Sequence, residues 1–559
     1  MVRRVLKLWH KEWNGLHQAA FLLALASLAS QLLGLLRDRL LAGTFGAGLN
    51  LDIYYTAFRI PDLVYVSIAS FVSVTVLIPY IAKLRHGEDK QALERFTSSI
   101  VTVFSVVMLG VVGVLWLMMP YWSPYLAPGF STAALAELTL LSRILLLSPF
   151  LLGLSNLFGA ITQSFHKFLA FTISPILYNL GIIVGIIWLY PVLGLPGLVW
   201  GVVIGALLHL MVQWGSVRSL GIFPRPTFHI PWREVYDIIL CSLPRTVGLA
   251  MHQVSMLVLV AIGSTIVAGG IAVFSLAQNL QTVPMMIIGM SYSVAAFPTL
   301  SKLFSDGQRE AFVSKIVVAA RHIVFWSMPA IVFIVVLRAH IVRVILGSGE
   351  FGWTDTRLTA AALALFVISA AGQSLIHLFV RGYYAAGNTA KPLLINIVSA
   401  GVIVVSALLL VRWFSVYPPA LTFLEGAFRV SDLTGTLILA LPLAFSLGTI
   451  LNSLLFIIAF ERDFGGLVAS LSKTTLETLM AALMGGVATY AALFIGAPLF
   501  ELTSVVAVLG QALLAGTIGI GVWLLSLALL KNQEFLELWA VLHAKFIAKE
   551  AIVTEQVEL

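Results

Sequence analysis

The sequence predicts an all-α polytopic membrane protein of about fourteen transmembrane helices, built as two parallel six-helix repeats plus a C-terminal helix pair. Three observations predict it. The first is composition: of 559 residues, 60% are hydrophobic and only 10% charged, with mean hydropathy +1.01. A soluble domain of that size cannot hide so much apolar surface, and in hydrocarbon such runs must be helices that satisfy their own backbone. The second is the regular recurrence of apolar runs of bilayer length. The third is internal similarity between the two halves of the chain.

In chain order, the basic and aromatic start MVRRVLKLWHKEWNGLHQAA has no small-residue cleavage site after a short apolar core, so it reads as an interfacial helix rather than a signal peptide. Six spans follow near 18–43, 52–82, 95–119, 133–162, 169–190 and 196–217. The polar, Pro- and Arg-containing break IFPRPTFHIPWRE precedes six more near 236–262, 268–296, 312–345, 356–385, 390–413 and 434–460. The last pair runs near 470–496 and 502–530. The expected divisions are an N-terminal segment 1–17, a first lobe 18–220, a linker 221–235, a second lobe 236–461, the helix pair 462–531 and an amphipathic tail 532–559.

Loops after even-numbered spans carry Lys83, Arg85, Lys167, Arg225, Lys302 and Lys391, whereas most loops after odd-numbered spans, such as GTFGAGLN, PYWSPYLAPGF and GSTIVAGG, carry no Lys or Arg. The exceptions are the loop after span nine, near Arg343 and Arg357, and the insertion SVYPPALTFLEGAFRVSD, with Arg429 and nearby Arg412. The positive-inside rule therefore puts both termini in the cytoplasm. The net charge of +8 reads as basic cytoplasmic loops and not as a nucleic-acid surface. Cys241 is the single cysteine, which excludes an internal disulfide and a multi-cysteine metal site. Three matches carry the repeat. Pro79-x3-Lys83 returns as Pro298-x3-Lys302, Pro175-x3-Asn179 as Pro392-x3-Asn396, and Gly205-Ala-Leu-Leu-His as Gly448-Thr-Ile-Leu-Asn. Repeats of equal orientation place a substrate between the lobes and alternate access by rocking.

The stretch from Gln31 to Leu84 concentrates charge among apolar residues: Arg37, Asp38, Arg39, Asp52, Arg59 and Asp62. A charge at membrane depth costs about 3 kcal/mol or more unless it meets water, a partner or a substrate. With Arg143, Arg245 and Arg321, bases outnumber acids in the spans, and a guanidinium fork matches phosphate oxygens. The stretch thus reads as the wall of a solvated cationic cavity for an anion. The alternatives are snorkelling anchors and intramembrane pairs such as Arg37 with Asp52, and for Asp52 a cap on the second span. Gln278, Asn279, Gln281 and Thr282 before Pro284 form a neutral cluster beside an expected kink, serving as cavity wall, hinge or interhelical hydrogen bonds. No phosphate-cradling G-x-x-x-x-G-K-[ST] loop, H-E-x-x-H or G-x-S-x-G elbow is present, so no enzyme and no cofactor is expected.

SQLLGLLRDRLLAGTFGAGLNLDIYYTAFRIPDL, VPMMIIGMSYSVAAFPTLSKLFSDGQ and FVRGYYAAGNTAKPLLINI resemble the lipid II flippase family (MurJ/MviN) of the multidrug/oligosaccharidyl-lipid/polysaccharide exporter superfamily. The resemblance covers roughly residues 18–530. It implies two six-helix lobes around a cationic cavity, and a last helix pair forming a groove for a polyprenyl tail. The implied cargo is undecaprenyl-pyrophosphate-linked glycopeptide, lipid II, moved from the cytoplasmic to the periplasmic leaflet of the bacterial inner membrane. Membrane lipids and cell-wall synthesis machinery are the expected partners, and the chain is expected to be a monomer. Arg37, Asp52 and Arg59 match the family pattern and, with Gln31, Asn279, Thr282 and Arg245, are the expected substrate-binding residues; Asp38, Gln278 and Pro284 are the expected cavity or hinge residues. The chain departs at Gln31, where the family has arginine, at PDLVYV against P-N-L-x-R-R, and near Asn279 and Thr282, where an arginine and a glutamate are expected. The sodium-site aspartate of some members falls at Leu259, and no sodium site is expected. Membrane potential acting on the arginines, worth about 2.3 kcal/mol per charge per 100 mV, or protonation of Asp38 or Asp52, is the expected coupling. An exporter of another polyprenyl-linked glycan, an exporter of soluble amphiphiles and a non-transporting envelope scaffold are the rival readings.

Overall fold

The computed structural model describes residues 16–69, 81, 90–165, 167–500 and 504–546. Most of the expected N-terminal segment, the second half of the second span and the loop around Gly87 lie outside the described residues.

The described chain is helical, without a strand. Helix α1 (Leu16–Phe45) turns through Gly46 into α2 (Leu49–Ala57) and α3 (Arg59–Val64), which continues as a π turn over Tyr65–Ala69. Then come α4 (Lys90–Leu126), α5 (Thr132–Leu145), α6 (Leu147–Ser164), α7 (Phe168–Val184, with a π turn to Leu189), α8 (Leu195–Ser219) and α9 (Trp232–Ser264). Next are α10 (Gly270–Met285, with a π turn to Met290), α11 (Ser291–Ser305), α12 (Arg309–Leu346), α13 (Trp353–Val367), α14 (Ala370–Ala385) and α15 (Ala390–Val416). The chain ends in α16 (Pro418–Phe428), α17 (Ala440–Asp463), α18 (Leu467–Gly496), α19 (Val505–Leu529) and α20 (Gln533–Phe546).

Among the described residues, eleven helices are long and apolar enough to cross a membrane, and the pair α13–α14, bent by 43°, makes twelve. The first two expected spans fall outside that number. α1 carries Arg37, Asp38 and Arg39 in its second half, and the second span leaves the described residues after Ala69.

The chain divides into two compact units, Met1–Ala272 and Val273–Leu559, and the division falls in the first turn of α10. In the first unit, α7 and α8 cross at glycines. Gly181 and Gly185, one turn apart, face Gly205 and Gly201, so closely that a Cβ on Gly181 would lie 2.3 Å from the Gly205 Cα. Small residues at i and i+4 let membrane helices approach to backbone contact. In the second unit, Phe312, Ile316 and Ile323 of α12 pack with Phe379 and Tyr383 of α14 and Phe456 and Phe460 of α17.

The repeat is visible inside each unit. Pro61 is followed by the π turn Tyr65–Ala69, and Pro284 by the π turn Met286–Met290. A proline removes an i→i−4 bond, and a π turn absorbs the resulting change in register. Gly205 meets the Tyr178 backbone of the preceding span, and Gly448 the Ile403 backbone of its own preceding span.

The expected tail helix is α20, tied to the second unit by Glu534. Its carboxylate accepts from Arg321 Nε at 2.6 Å and Thr474 Oγ1 at 3.0 Å. Burial pushes this carboxyl up, but its own backbone N–H and the Arg321 guanidinium outweigh that and hold it below the ordinary glutamate range. Arg321, one of the bases counted for the cavity, is thus engaged in docking the tail.

Candidate functional site

The charged stretch resolves into three arrangements within the first unit. The first surrounds Arg37. Its Nε and Nη2 both donate to Asp38 Oδ1, at 2.9 and 2.8 Å, and Nη1 donates to Asn179 Oδ1 at 3.3 Å. The Asn179 amide donates onward to the Ser30 hydroxyl, at 3.3 Å. Tyr54 and Tyr55 lie within electrostatic reach of the same guanidinium. Arg37 therefore pairs with its neighbour Asp38, which corrects the alternative pairing with Asp52. Adjacent residues on a helix do not share a face, yet a long arginine can fold back along the axis onto a short aspartate. The Arg37 side chain keeps 23% of its surface exposed while the Asp38 side chain keeps 4%, so the guanidinium is the accessible member of the pair.

The second arrangement is at Asp52. Its carboxylate, fully buried, accepts from Gly269 N at 2.6 Å and from Ala272 N at 2.7 Å. Gly269 is the residue before α10, at φ +86, where a Cβ would sit 1.8 Å from the Ala47 carbonyl oxygen. The N-terminus of α10 thus has no capping side chain of its own, and Asp52 supplies one from a distant helix. It satisfies two orphan N–H groups and faces the positive end of the helix dipole. Asp52 caps α10 and not the second span. Nearby, Gly129 N donates to Ser264 Oγ at 3.2 Å, so the turns after α1, α4 and α9 interlock at one end of the unit. Asp52→Ala should leave two buried N–H groups unmet, each worth about 1–3 kcal/mol. The expected result is a marked fall in the melting temperature of the detergent-solubilised protein, with Asp52→Asn intermediate. An unchanged melting temperature for Asp52→Ala would contradict this role.

The third arrangement joins Arg59 with Asp62, one turn further on, and His252 of α9 within electrostatic reach of Arg59. Asp62 lines a pocket of about 270 Å³ with Phe58, Pro61, Tyr65, Ser148, Tyr178 and His209, among others. His209 Nδ1 lies 2.6 Å from Ser155 Oγ, and Tyr65 Oη accepts from Asn156 Nδ2 at 2.6 Å.

Of the remaining expected residues, Gln31 and Arg245 are half-buried on α1 and α9. Gln278, Asn279, Thr282 and Pro284 lie on α10 in the second unit, where Thr282 Oγ1 donates to the Gln278 carbonyl at 2.9 Å. There the amides of Gln281 and Gln373 pair reciprocally, at 3.3 and 3.1 Å, joining α10 to α14. Sequence reasoning missed Asn179 and His209 as site residues. Both were in view only as repeat markers, in Pro175-x3-Asn179 and Gly205-x3-His209. Leu259 is fully buried, and no group of three His, Cys, Asp or Glu side chains placed to hold a metal occurs among the described residues.

Known proteins match this arrangement of helices. One solved structure, "Lipid II flippase MurJ, inward closed conformation", aligns over 91% of this chain and 98% of its own, with TM-score 0.70 and 20% identity. An inward-facing multidrug resistance MATE family transporter of the MOP superfamily aligns over 80% of this chain and 96% of its own, with TM-score 0.61 and 15% identity. The fold is thus the multi-pass helical fold shared by these membrane proteins. The sequence profile described as "Lipid II flippase MurJ" matches residues 41–509, most of the chain. The chain belongs to the lipid II flippase MurJ family. Among curated relatives, a probable lipid II flippase MurJ of Rhizobium tropici is 27% identical over 66% of this chain and 70% of its own length. The lipid II flippase MurJ of Burkholderia cenocepacia is 23% identical over 68% and 75%.

Proposed function

We propose that this protein flips lipid II from the cytoplasmic to the periplasmic leaflet of the bacterial inner membrane by alternating access, with both termini in the cytoplasm. The family match over residues 41–509 carries this reading. The chemistry supports it: lipid II carries a pyrophosphate, and Arg37 offers that anion a partly exposed fork, with Arg59 a second guanidinium of the same unit. Arg245, Gln31 and, from the second unit, Asn279 and Thr282 serve as further substrate contacts. Asp38 orients Arg37, Asp52 fixes α10, and the π turn after Pro284, in the same span as Gln278, serves as a hinge.

Expression of this chain in a bacterium depleted of its own lipid II flippase should restore growth and lipid II export. Failure of a stably inserted protein to do so would refute the assignment. A second reading, export of a different polyprenyl-linked glycan, is favoured by Gln31, Asn279 and Thr282 standing where the family pattern carries charge. Under that reading the same strain keeps lipid II on its cytoplasmic side.

A further inference from the structure

Three carboxylates lie in the charged stretch, and the structure treats them differently. Protonating Asp38 would weaken two bonds from Arg37, and protonating Asp52 would weaken two bonds that hold the start of α10. Among the described residues, no hydrogen bond or ion pair to the Asp62 carboxylate is found, so protonating it breaks none of these contacts. It faces a pocket of about 270 Å³, room for several waters.

The other polar groups of the pocket suit a proton better than a metal ion. Ser155 Oγ can donate to the His209 carbonyl at 3.1 Å. His209 Nδ1, 2.6 Å from Ser155 Oγ, then donates to that hydroxyl oxygen, and Nε2 is left as the imidazole's acceptor. Tyr65 and Tyr178 contribute phenols. A hard cation wants several oxygen ligands and suffers from nearby positive charge, and here one carboxylate stands beside the Arg59 guanidinium. The groups that set the local field are Arg59 on the same helix, Tyr65 after it, Tyr54 on α2, Tyr178 on α7, His209 on α8, the Arg37–Asp38 pair on α1 and, beyond Arg59, Tyr55 on α2 and His252 on α9. The α5–α6 wall, with Leu145, Ser148, Pro149 and Leu152, adds no charge.

We propose that the Asp62–His209 pocket is a proton-exchange site that sets how much of the Arg59 charge is available to an anion. With Asp62 ionised, Arg59 is partly compensated from one turn away. A proton arriving from water through the pocket neutralises Asp62 and removes that compensation, which strengthens the pull of the guanidinium on a pyrophosphate. Loss of that proton restores the compensation and favours release. His209, through Nε2, passes the proton between the pocket water and Asp62. The inference rests on the reading that the cargo is an anionic polyprenyl-linked pyrophosphate.

The test is equilibrium binding of lipid II to the full-length protein in detergent at different pH, since the pyrophosphate diester keeps its charge over this range. Wild-type affinity should rise about tenfold from about pH 8 to about pH 5. Asp62→Asn should bind at both pH values as tightly as the acidified wild type, and choline in place of sodium should change nothing. A wild-type pH slope that survives in Asp62→Asn, or that disappears when sodium is withdrawn, overturns the proposal. If the wild type binds no lipid II at any pH, the functional reading fails, and infrared titration decides the proton site by itself. A carboxylic-acid C=O band that grows on acidification and shifts in Tyr178→Phe supports the site; its absence overturns it. The same measurement serves if Asp62→Asn does not fold.

Discussion

Replacing Arg37 by alanine should abolish lipid II transport and, at the same time, lower the stability of the protein. The transport loss follows from removing the accessible guanidinium of the first unit. The stability loss follows from Asp38, whose side chain is 4% exposed and takes two hydrogen bonds from Arg37. Taking away one member of a buried ion pair costs about 3–5 kcal/mol, because the remaining charge stays out of water. The two effects separate in the double variant Arg37→Gln, Asp38→Asn. It has no charge to strand, keeps an amide to face Asn179, and should recover most of the melting temperature without recovering transport. Arg37→Lys should keep the fold and lose part of the transport, since an ammonium cannot bond Asp38 and Asn179 in the planar geometry of the fork. Flipping assays in proteoliposomes, read beside thermal melts, decide it. Normal flipping by Arg37→Ala, or by the double variant, would remove Arg37 from the substrate site.

A valine at Gly201 should destabilise the first unit by about 3 kcal/mol or more, above the usual range for overpacking because here two backbones must separate. A Cβ there would lie 2.4 Å from the Gly185 Cα and 2.8 Å from the Gly181 carbonyl oxygen. These neighbours are main chain of α7 and cannot rotate away. The same helix carries Tyr178 and Asn179, one lining the Asp62 pocket and the other bonded to Arg37. Displacing α7 should therefore cut transport as well as stability. Gly215→Ala on the same α8 is the control: nothing lies within 4 Å of its Cβ position, and alanine is the better helix former. Equal melting temperatures for the two variants would show that α7 and α8 do not depend on glycine contact.

Much of this was legible in the chain as written. Apolar runs of bilayer length gave the all-helical class, because hydrocarbon leaves the backbone no other partner. The repeated motifs pointed to a second copy of the same helix set, and a π turn follows both Pro61 and Pro284. The charged stretch from Arg37 to Asp62 was conspicuous because charge among apolar residues needs a reason.

What each charge does was decided only by tertiary structure. Asp52 and Arg37 are fifteen positions apart and of opposite sign, which made a pair plausible; yet Asp52 is claimed by backbone N–H groups more than two hundred residues away. The Arg321 guanidinium, one base among several in the sequence, belongs to the docking of α20. The Gly-x3-Gly pairs of α7 and α8 and the pocket around Asp62 arise from how four or five helices cross. Composition and periodicity along one chain determine that helices form and that they lie in a membrane. They do not determine which side chains meet, because that depends on the rotation and depth of every neighbouring helix, and those are fixed by packing.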